Sequence, residues 1–420
     1  MALKKKPVTG MKDILPAEME IRDYVLGIIK DTYREYGYST IETPCVEHIE
    51  NLTSKQGGDN EKLIFKIMKR GDKLQSALDE SKWDEIADSG LRYDLTLPLC
   101  RYYSNNAASL PQPFKALQVG SVWRADRPQK GRFRQFVQCD IDVLGDASNQ
   151  VEIESILAIT KTLKRILPDN KLTVRVNDRA ILKGMADYCG FPEDKTMDVF
   201  ITLDKMDKIG LDGVKQELLD NGYAQESVDK YVGLLGAIKN TPDGVRELGQ
   251  QIASVMDPAK AENLAEIMET AKAVTTLDFN LEFDPTLVRG MGYYTGTIFE
   301  VSMEGFGGSV SGGGRYDQLV GKFTGQDTPA CGISIGFERI ITILMDQGFK
   351  VPVKNVSKAF LYEKGLDAAQ FRKVIAAAEE ERSKGHKVAL AMMAKNKKFQ
   401  KDQFVENGFG EFVEFYKKDL

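Results

Sequence analysis

The segment Arg134-Gln135-Phe136-Val137-Gln138-Cys139-Asp140-Ile141-Asp142-Val143-Leu144-Gly145 alternates with a period of two. On a strand that period sends Arg134, Phe136, Gln138, Asp140 and Asp142 to one face and Val137, Cys139, Ile141 and Val143 to the other. The second face is core. The first is a polar floor with one aromatic, and its ordinary reading is a solvated outer face. Its neighbourhood argues otherwise, because the preceding loop adds Arg124, Arg127, Lys130 and Arg132. Arginine forks match phosphate oxygens and a phenylalanine ring stacks on a purine, so the combination suits a nucleotide.

Working outward, Leu117 to Arg124 gives a second strand, paired with the first as an antiparallel hairpin around the polar loop Arg127 to Arg132. Upstream, Ile21, Val25, Ile28, Ile29 and Tyr36 recur at helical spacing after Pro16, and Gly37 supplies a stop. Ile41-Glu42-Thr43-Pro44 reads as a short extended piece, since a residue before proline is biased away from helix. Leu91 to Pro98 also alternates, and a strand there would set Arg92, Asp94 and Thr96 on one face. Downstream, Glu152 to Leu167 predicts a helix and Leu172, Val174 and Val176 a strand.

From about 180 to 275 the patterns are helical, as at Val214 to Leu219 and Leu264 to Ala271, which predicts a mainly helical insertion. Strands resume at Leu281 to Phe283 and Gly296 to Ser302. A glycine-rich run spans Gly305 to Gly314, and a strand from Cys331 leads into a helix with Phe337, Ile340, Ile341 and Leu344 on its face. The fold class expected is α+β: an antiparallel sheet flanked by helices over 1–348, interrupted by the insertion. A linker at 349–357 and a small C-terminal α/β domain at 358–420 follow.

At 420 residues, 42% hydrophobic and 28% charged, the chain has the composition of a folded protein with roughly two or three cores. No run of about 18 apolar residues occurs, which predicts a cytoplasmic protein without a membrane span. Cys45, Cys100, Cys139, Cys189 and Cys331 form no CxxC pair, so reduced thiols are expected. With only His48 and His386, zinc hydrolysis and Ser-His-Asp chemistry have almost no material. A net charge of −5 means that a nucleic-acid partner would need a local basic surface.

No G-x-x-x-x-G-K-[ST] and no well-placed G-x-G-x-x-G is present, so a nucleotide would not use a P-loop. Gly312-Gly313-Gly314 is read as close backbone packing or a tight turn ahead of a phosphate cradle. Leu287 to Gly296 offers glycine turns around Arg289 and hydroxyls on Tyr293 and Tyr294, although a tyrosine pair alone is more often packing than recognition. Arg339 falls off the apolar face of its helix, where a surface arginine is the ordinary reading.

Taken in order, these stretches resemble the signature motifs of class II aminoacyl-tRNA synthetases, and within them the histidine-specific branch. Gly37 to Glu47 resembles motif 1, Arg124 to Phe136 motif 2 and Gly332 to Arg339 motif 3; Arg289 to Glu300 and Gly313-Gly314-Arg315-Tyr316-Asp317 resemble the two histidine motifs. The similarity spans about Pro7 to Leu344. It implies a class II synthetase-type sheet, ATP with Mg2+ but no metal site of the protein's own, L-histidine and tRNA(His) as substrates, and a homodimer through the catalytic domain.

Residue by residue, the resemblance implies that Arg289 and Arg124 are catalytic and also contact histidine. Asp94 and Thr96 with Gln138 would hold the substrate amino group, Leu95 belonging to the same histidine-binding set. Asp142 and Tyr294 would bracket the imidazole, with Tyr293 lining the pocket. Arg124 would bind the α-phosphate, Phe136 would stack on adenine, and Arg339 would cover its other face; Asp126 and Arg132 complete the ATP set. Gly292 stands where the family usually has aspartate, which removes one acceptor near the imidazole pocket. The region from about Ser357 resembles the first part of the family's anticodon-binding domain and stops after its third strand. The rival reading is a non-catalytic regulatory paralogue serving ATP phosphoribosyltransferase, which shares the core but has no use for ATP-binding arginines or a tRNA-binding appendage.

Overall fold

The structure is a computed structural model and describes residues 3–53, 60–128, 132–290, 293–352 and 356–420. Lys130 and Gly292, and the expectations attached to them, lie outside the described residues. The chain divides into two compact units, Met1–Met11 with Gly27–Thr342 and Lys12–Leu26 with Ile343–Leu420.

Helix α1 (Pro16–Glu35) buries Val25, Ile29 and Tyr33 along one stripe, and Gly37 ends it with a φ of +80° that a side chain would resist. Strands β1 (Ser39–Thr40) and β2 (Val46–His48), helix α2 (Ile49–Thr53), β3 (Lys66–Met68), α3 (Asp72–Asp79) and β4 (Ala87–Leu91) follow; β2, β4 and β3 form a small antiparallel sheet that the sequence reading did not foresee. The strand expected over Leu91 to Pro98 does not form, because helix α4 (Thr96–Asn106) starts there. Pro98 sits in the first helical turn, where a missing N–H loses no intrahelical bond, and the Asp94 carboxylate accepts the Leu97 N–H at 3.1 Å. Arg92 turns back and donates to the carbonyls of Thr43 (2.7 Å) and Ser121 (2.8 Å).

The hairpin is as expected: β5 (Phe114–Trp123) pairs antiparallel with β6 (Gln135–Leu144). Helix α5 (Gln150–Ile166) and β7 (Leu172–Asp178) lead into a helical segment, α6 (Arg179–Tyr188), α7 (Thr196–Leu203), α8 (Met206–Asp220, kinked at Gly210), α9 (Gln225–Ala237), α10 (Pro242–Gln251) and α11 (Pro258–Ala273). Then come β8 (Asn280–Phe283), β9 (Thr297–Met303), β10 (Ser309–Arg315), α12 (Asp317–Thr324), β11 (Ala330–Ile335) and α13 (Phe337–Asp346). The main sheet has eight strands in the order β1-β5-β6-β11-β10-β9-β7-β8, antiparallel except at its two edges.

Register aligns side chains across this sheet. Gln118, Asp140, Ser334, Gly312, Glu300 and Arg175 are successive cross-strand partners, so one polar row runs over six neighbouring strands. One row along lie Asp142, Gly332 and Gly314. The opposite face of the hairpin carries Cys139, Ile141 and Val143, all buried in the core. The triple glycine is strand interior, not a turn: a Cβ on Gly313 would stand 2.1 Å from the Gly332 carbonyl oxygen.

In the other unit, β12 (Ser357–Tyr362), helix α14 (Ala368–Ser383), β13 (Lys387–Met392), helix α15 (Lys397–Glu406) and β14 (Glu411–Phe415) build a parallel sheet of order β13-β12-β14 around Phe360, Ala378 and Val388. Asp367 opens α14 through a reciprocal cap with Gln370.

Candidate active site

Two cavities open on the polar face of the main sheet. The first, about 320 Å³, is lined by Arg124, Asp126, Arg132, Phe136 and Arg339, the whole of the expected ATP set, with Arg289, Glu338 and Ser309. The second, about 450 Å³, is lined by Asp94, Thr96, Arg124, Gln138, Asp142, Arg289, Tyr293 and Tyr294, with Tyr93, Asp140 and Tyr316. Arg124, Arg289, Gln138 and Tyr294 border both. Leu95 is the exception among the expected residues. Its side chain is in the core at 1% exposure, and its carbonyl accepts from Gln118 Nε2 at 3.1 Å.

The hairpin explains the placement of Phe136, Gln138 and Asp142, since alternate residues of one strand share a face. That face is not solvated: Asp140 and Asp142 are each 3% exposed. The Tyr316 hydroxyl donates to Asp142 Oδ1 at 2.6 Å, and Asp142 Oδ2 has no hydrogen-bond partner among the described residues. Burial, reinforced by Asp94 and opposed by the Tyr316 hydrogen bond, moves the Asp142 carboxyl from 3.8 up to about 7. Asp140 is pushed well above the carboxylate range by burial and then by Asp142. Gln138 Nε2 donates to Asp140 Oδ2 (3.2 Å), and Gln138 Oε1 and Asp140 Oδ1 have no hydrogen-bond partner among the described residues. A cavity lined by such acceptors is matched to a ligand rich in N–H donors.

Three phenols enclose the same space. Tyr293 and Tyr294 meet edge to face at 4.9 Å, and Tyr293 lies 5.6 Å from Tyr316. Burial raises all three above the ordinary phenol value, so they stay protonated and can donate. Gly290, at φ +54°, is required for this corner, because a Cβ would meet the Tyr294 ring at 2.3 Å.

The first cavity has the opposite character. Arg124 lies over Tyr93 (4.1 Å) and Phe136 (5.2 Å), with its Nε donating to the Tyr93 carbonyl at 3.1 Å. Arg289 Nε donates to Glu300 Oε2 at 2.6 Å and its Nη2 to Ser309 Oγ at 2.8 Å. Its guanidinium occupies the space left by Gly312, where a Cβ would come within 2.2 Å of Nη1. Arg339 donates to the Ser309 carbonyl and is half-buried rather than a free surface arginine. Burial, then Arg132 and Arg289, lowers its pKa, the sign of crowded positive charge that a polyanion would relieve.

Residues 10–340 match the family model described as histidyl-tRNA synthetase. The chain belongs to the histidyl-tRNA synthetase family. It is 41% identical to a histidine–tRNA ligase of Leifsonia xyli, over 98% of this chain and 96% of that protein, and 40% identical to a probable histidine–tRNA ligase of Tropheryma whipplei over the same shares. The crystal structure of a histidyl-tRNA synthetase from Nostoc superposes with a TM-score of 0.79 at 25% identity, covering 97% of this chain and 90% of that one. A Bacillus halodurans structure described as an ATP phosphoribosyltransferase regulatory subunit/histidyl-tRNA synthetase shares the fold, with a TM-score of 0.77 at 18% identity and 99% of both chains covered.

In this histidyl-tRNA synthetase family member, Tyr316 and Glu300, to which local spacing assigns no role, are also brought to the site. Tyr316 holds Asp142, and Glu300 holds Arg289. Both were inside quoted motifs, but a contact across 174 residues, as between Asp142 and Tyr316, leaves no trace in local spacing. No helix of the described residues is long and apolar enough to cross a membrane.

Proposed function

We propose that this chain activates L-histidine with ATP as histidyl-adenylate and then esterifies tRNA(His), releasing AMP and pyrophosphate. The observation that carries this is the sharing of Arg124 and Arg289 between an arginine-lined cleft and an acceptor-lined pocket. The pocket takes histidine, its ammonium beside Asp94, Thr96 and Gln138 and its imidazole between Asp142 and Tyr294. The cleft takes ATP, adenine on Phe136 under Arg339, with Asp126 and Arg132 alongside. On this reading the histidine carboxylate and the α-phosphorus meet at the junction of the two cavities. The carboxylate oxygen bonds to phosphorus as the bond to pyrophosphate breaks, and Arg124 and Arg289 stabilise the charge that gathers on the non-bridging oxygens.

ATP would come with Mg2+, whose charge would offset that of the triphosphate. Asp126 and Glu338, both lining the cleft, are the carboxylates that would complete its coordination, in keeping with an ion that needs one or two protein ligands besides phosphate and water. The exposed apolar side chains of Val46, within the motif 1 segment, and Met68, in the same small sheet, support a homodimer through the catalytic domain. The unit containing β12 to β14 is assigned to anticodon binding. The regulatory-paralogue reading is disfavoured by the arginine cleft itself, since a subunit without ATP chemistry has no need of it. Charging of tRNA(His) with labelled histidine, and with no other amino acid, is the expected result; absence of charging with histidine contradicts the assignment.

A further inference from the structure

We propose that Arg175, through Glu300, is a positioning residue for Arg289 and sets the rate of the chemical step without touching either substrate; this rests on the role given to Arg289 above. Arg289 lies outside any helix or strand, in the segment between β8 and β9, so its guanidinium is held by side-chain contacts rather than by a regular element. Among the described residues two side-chain hydrogen bonds hold it, from Nε to Glu300 Oε2 at 2.6 Å and from Nη2 to Ser309 Oγ at 2.8 Å. Glu300 therefore decides how the guanidinium is rolled about its axis.

Glu300 is in turn held from its other side. Arg175 is its cross-strand partner in the β7–β9 pairing, and Arg175 Nη2 donates to Glu300 Oε1. The same arginine is anchored by Asp284 at 3.2 Å and by Asp207, at the start of α8, at 3.4 Å. Arg175 borders neither substrate cavity; it lines a third, of about 300 Å³, on which Arg289 also opens. With one carboxylate oxygen committed to each arginine, Glu300 cannot turn. Without Arg175 both oxygens become available to Arg289, and the guanidinium rolls away from the junction of the cavities. Preorganised charge stabilisation is sensitive to displacements of this size, roughly 0.5 Å.

The test is tRNA-independent exchange of pyrophosphate into ATP by the full chain, with kcat and KM separated, for Arg175→Ala, Arg175→Lys and Arg289→Ala and for the double variant Arg175→Ala/Arg289→Ala. Arg175→Ala is expected to lower kcat about tenfold or more per folded enzyme, with KM for ATP and histidine within about threefold of the parent. Arg175→Lys, which keeps one charged donor, should recover most of kcat, and Arg175→Ala should cost nothing further once Arg289 is alanine. An unchanged kcat in folded Arg175→Ala, or a loss as large in the Arg289→Ala background as in the parent, overturns the proposal. Should Arg175→Ala not fold, Arg175→Gln is judged by the same kcat criterion. Normal exchange by Arg289→Ala would defeat the role of Arg289 itself, whereas normal exchange by Arg175→Ala beside a dead Arg289→Ala defeats this inference alone.

Discussion

Asp142→Asn should make the ligand-free protein more stable and the histidine complex weaker. Asp142 is 3% exposed, and among the described residues only its Oδ1 is paired, with the Tyr316 hydroxyl. Its carboxyl titrates near 7 in the folded chain against 3.8 as a free group, so holding the charge in place costs on the order of 4 kcal/mol. The sign follows from the direction. A carboxyl whose pKa is raised by folding binds its proton more tightly in the folded chain, so its contribution to stability is lost as pH rises from about 4 to about 7 and stays lost above that. Asparagine keeps the Tyr316 contact and removes the charge, and it relieves Asp140, which Asp142 also pushes up.

Thermal melting without ligand should therefore place the variant several degrees above the parent at pH 8, with the gap narrowing through pH 6 and closing near pH 4. Histidine should narrow that gap without closing it. Loss of a charged acceptor for the imidazole N–H is worth about 1.5–3 kcal/mol, a rise in histidine KM of about ten- to a hundredfold. A variant less stable than the parent at pH 8, or a gap that does not change with pH, refutes the claim that Asp142 carries an uncompensated charge.

Gly312→Ala puts a methyl against Arg289 Nη1, so kcat for amino-acid activation should fall at least tenfold while the melting temperature moves little; steady-state exchange kinetics checks this. Phe136→Ala removes the stacking surface given to adenine and should raise KM for ATP by about ten- to a hundredfold, with KM for histidine nearly unchanged. Glu152→Ala removes the bidentate pair that Arg315, 9% exposed, makes with Glu152 at 2.5 and 2.6 Å and leaves it Asp317 at 3.4 Å and the carbonyls of Asp146 and Ser148; it should destabilise the folded chain by about 1.5–3 kcal/mol in denaturant unfolding.

What could be read from the sequence was what depends on local period. The β5–β6 hairpin follows from alternation, and Arg124 and Arg289, the arginines proposed as catalytic, fall inside ordered motifs whose neighbours the fold brings to one face. The same signal misled at Leu91 to Leu97, where Arg92, Asp94 and Thr96 alternate but serve a chain reversal: Arg92 pins two carbonyls, Asp94 caps α4 and Thr96 begins it. The resemblance sets Leu95 among the histidine contacts, yet neighbours in sequence at a helix start point in different directions, and the Leu95 side chain is in the core. Helix α15 carries no legible period because its charged residues outnumber any apolar stripe and no residue in it is buried. The burial of Asp140 and Asp142 was also out of reach, since a polar strand face looks the same in sequence whether water or a walled cavity lies above it.

The central claim, that the two cavities meet at Arg124 and Arg289 to join histidine to the α-phosphate, is tested most directly by pyrophosphate exchange into ATP with the unmutated protein and no tRNA. The account predicts exchange that depends on histidine and is absent with the other amino acids. No histidine-dependent exchange, or equal exchange with another amino acid, would contradict it.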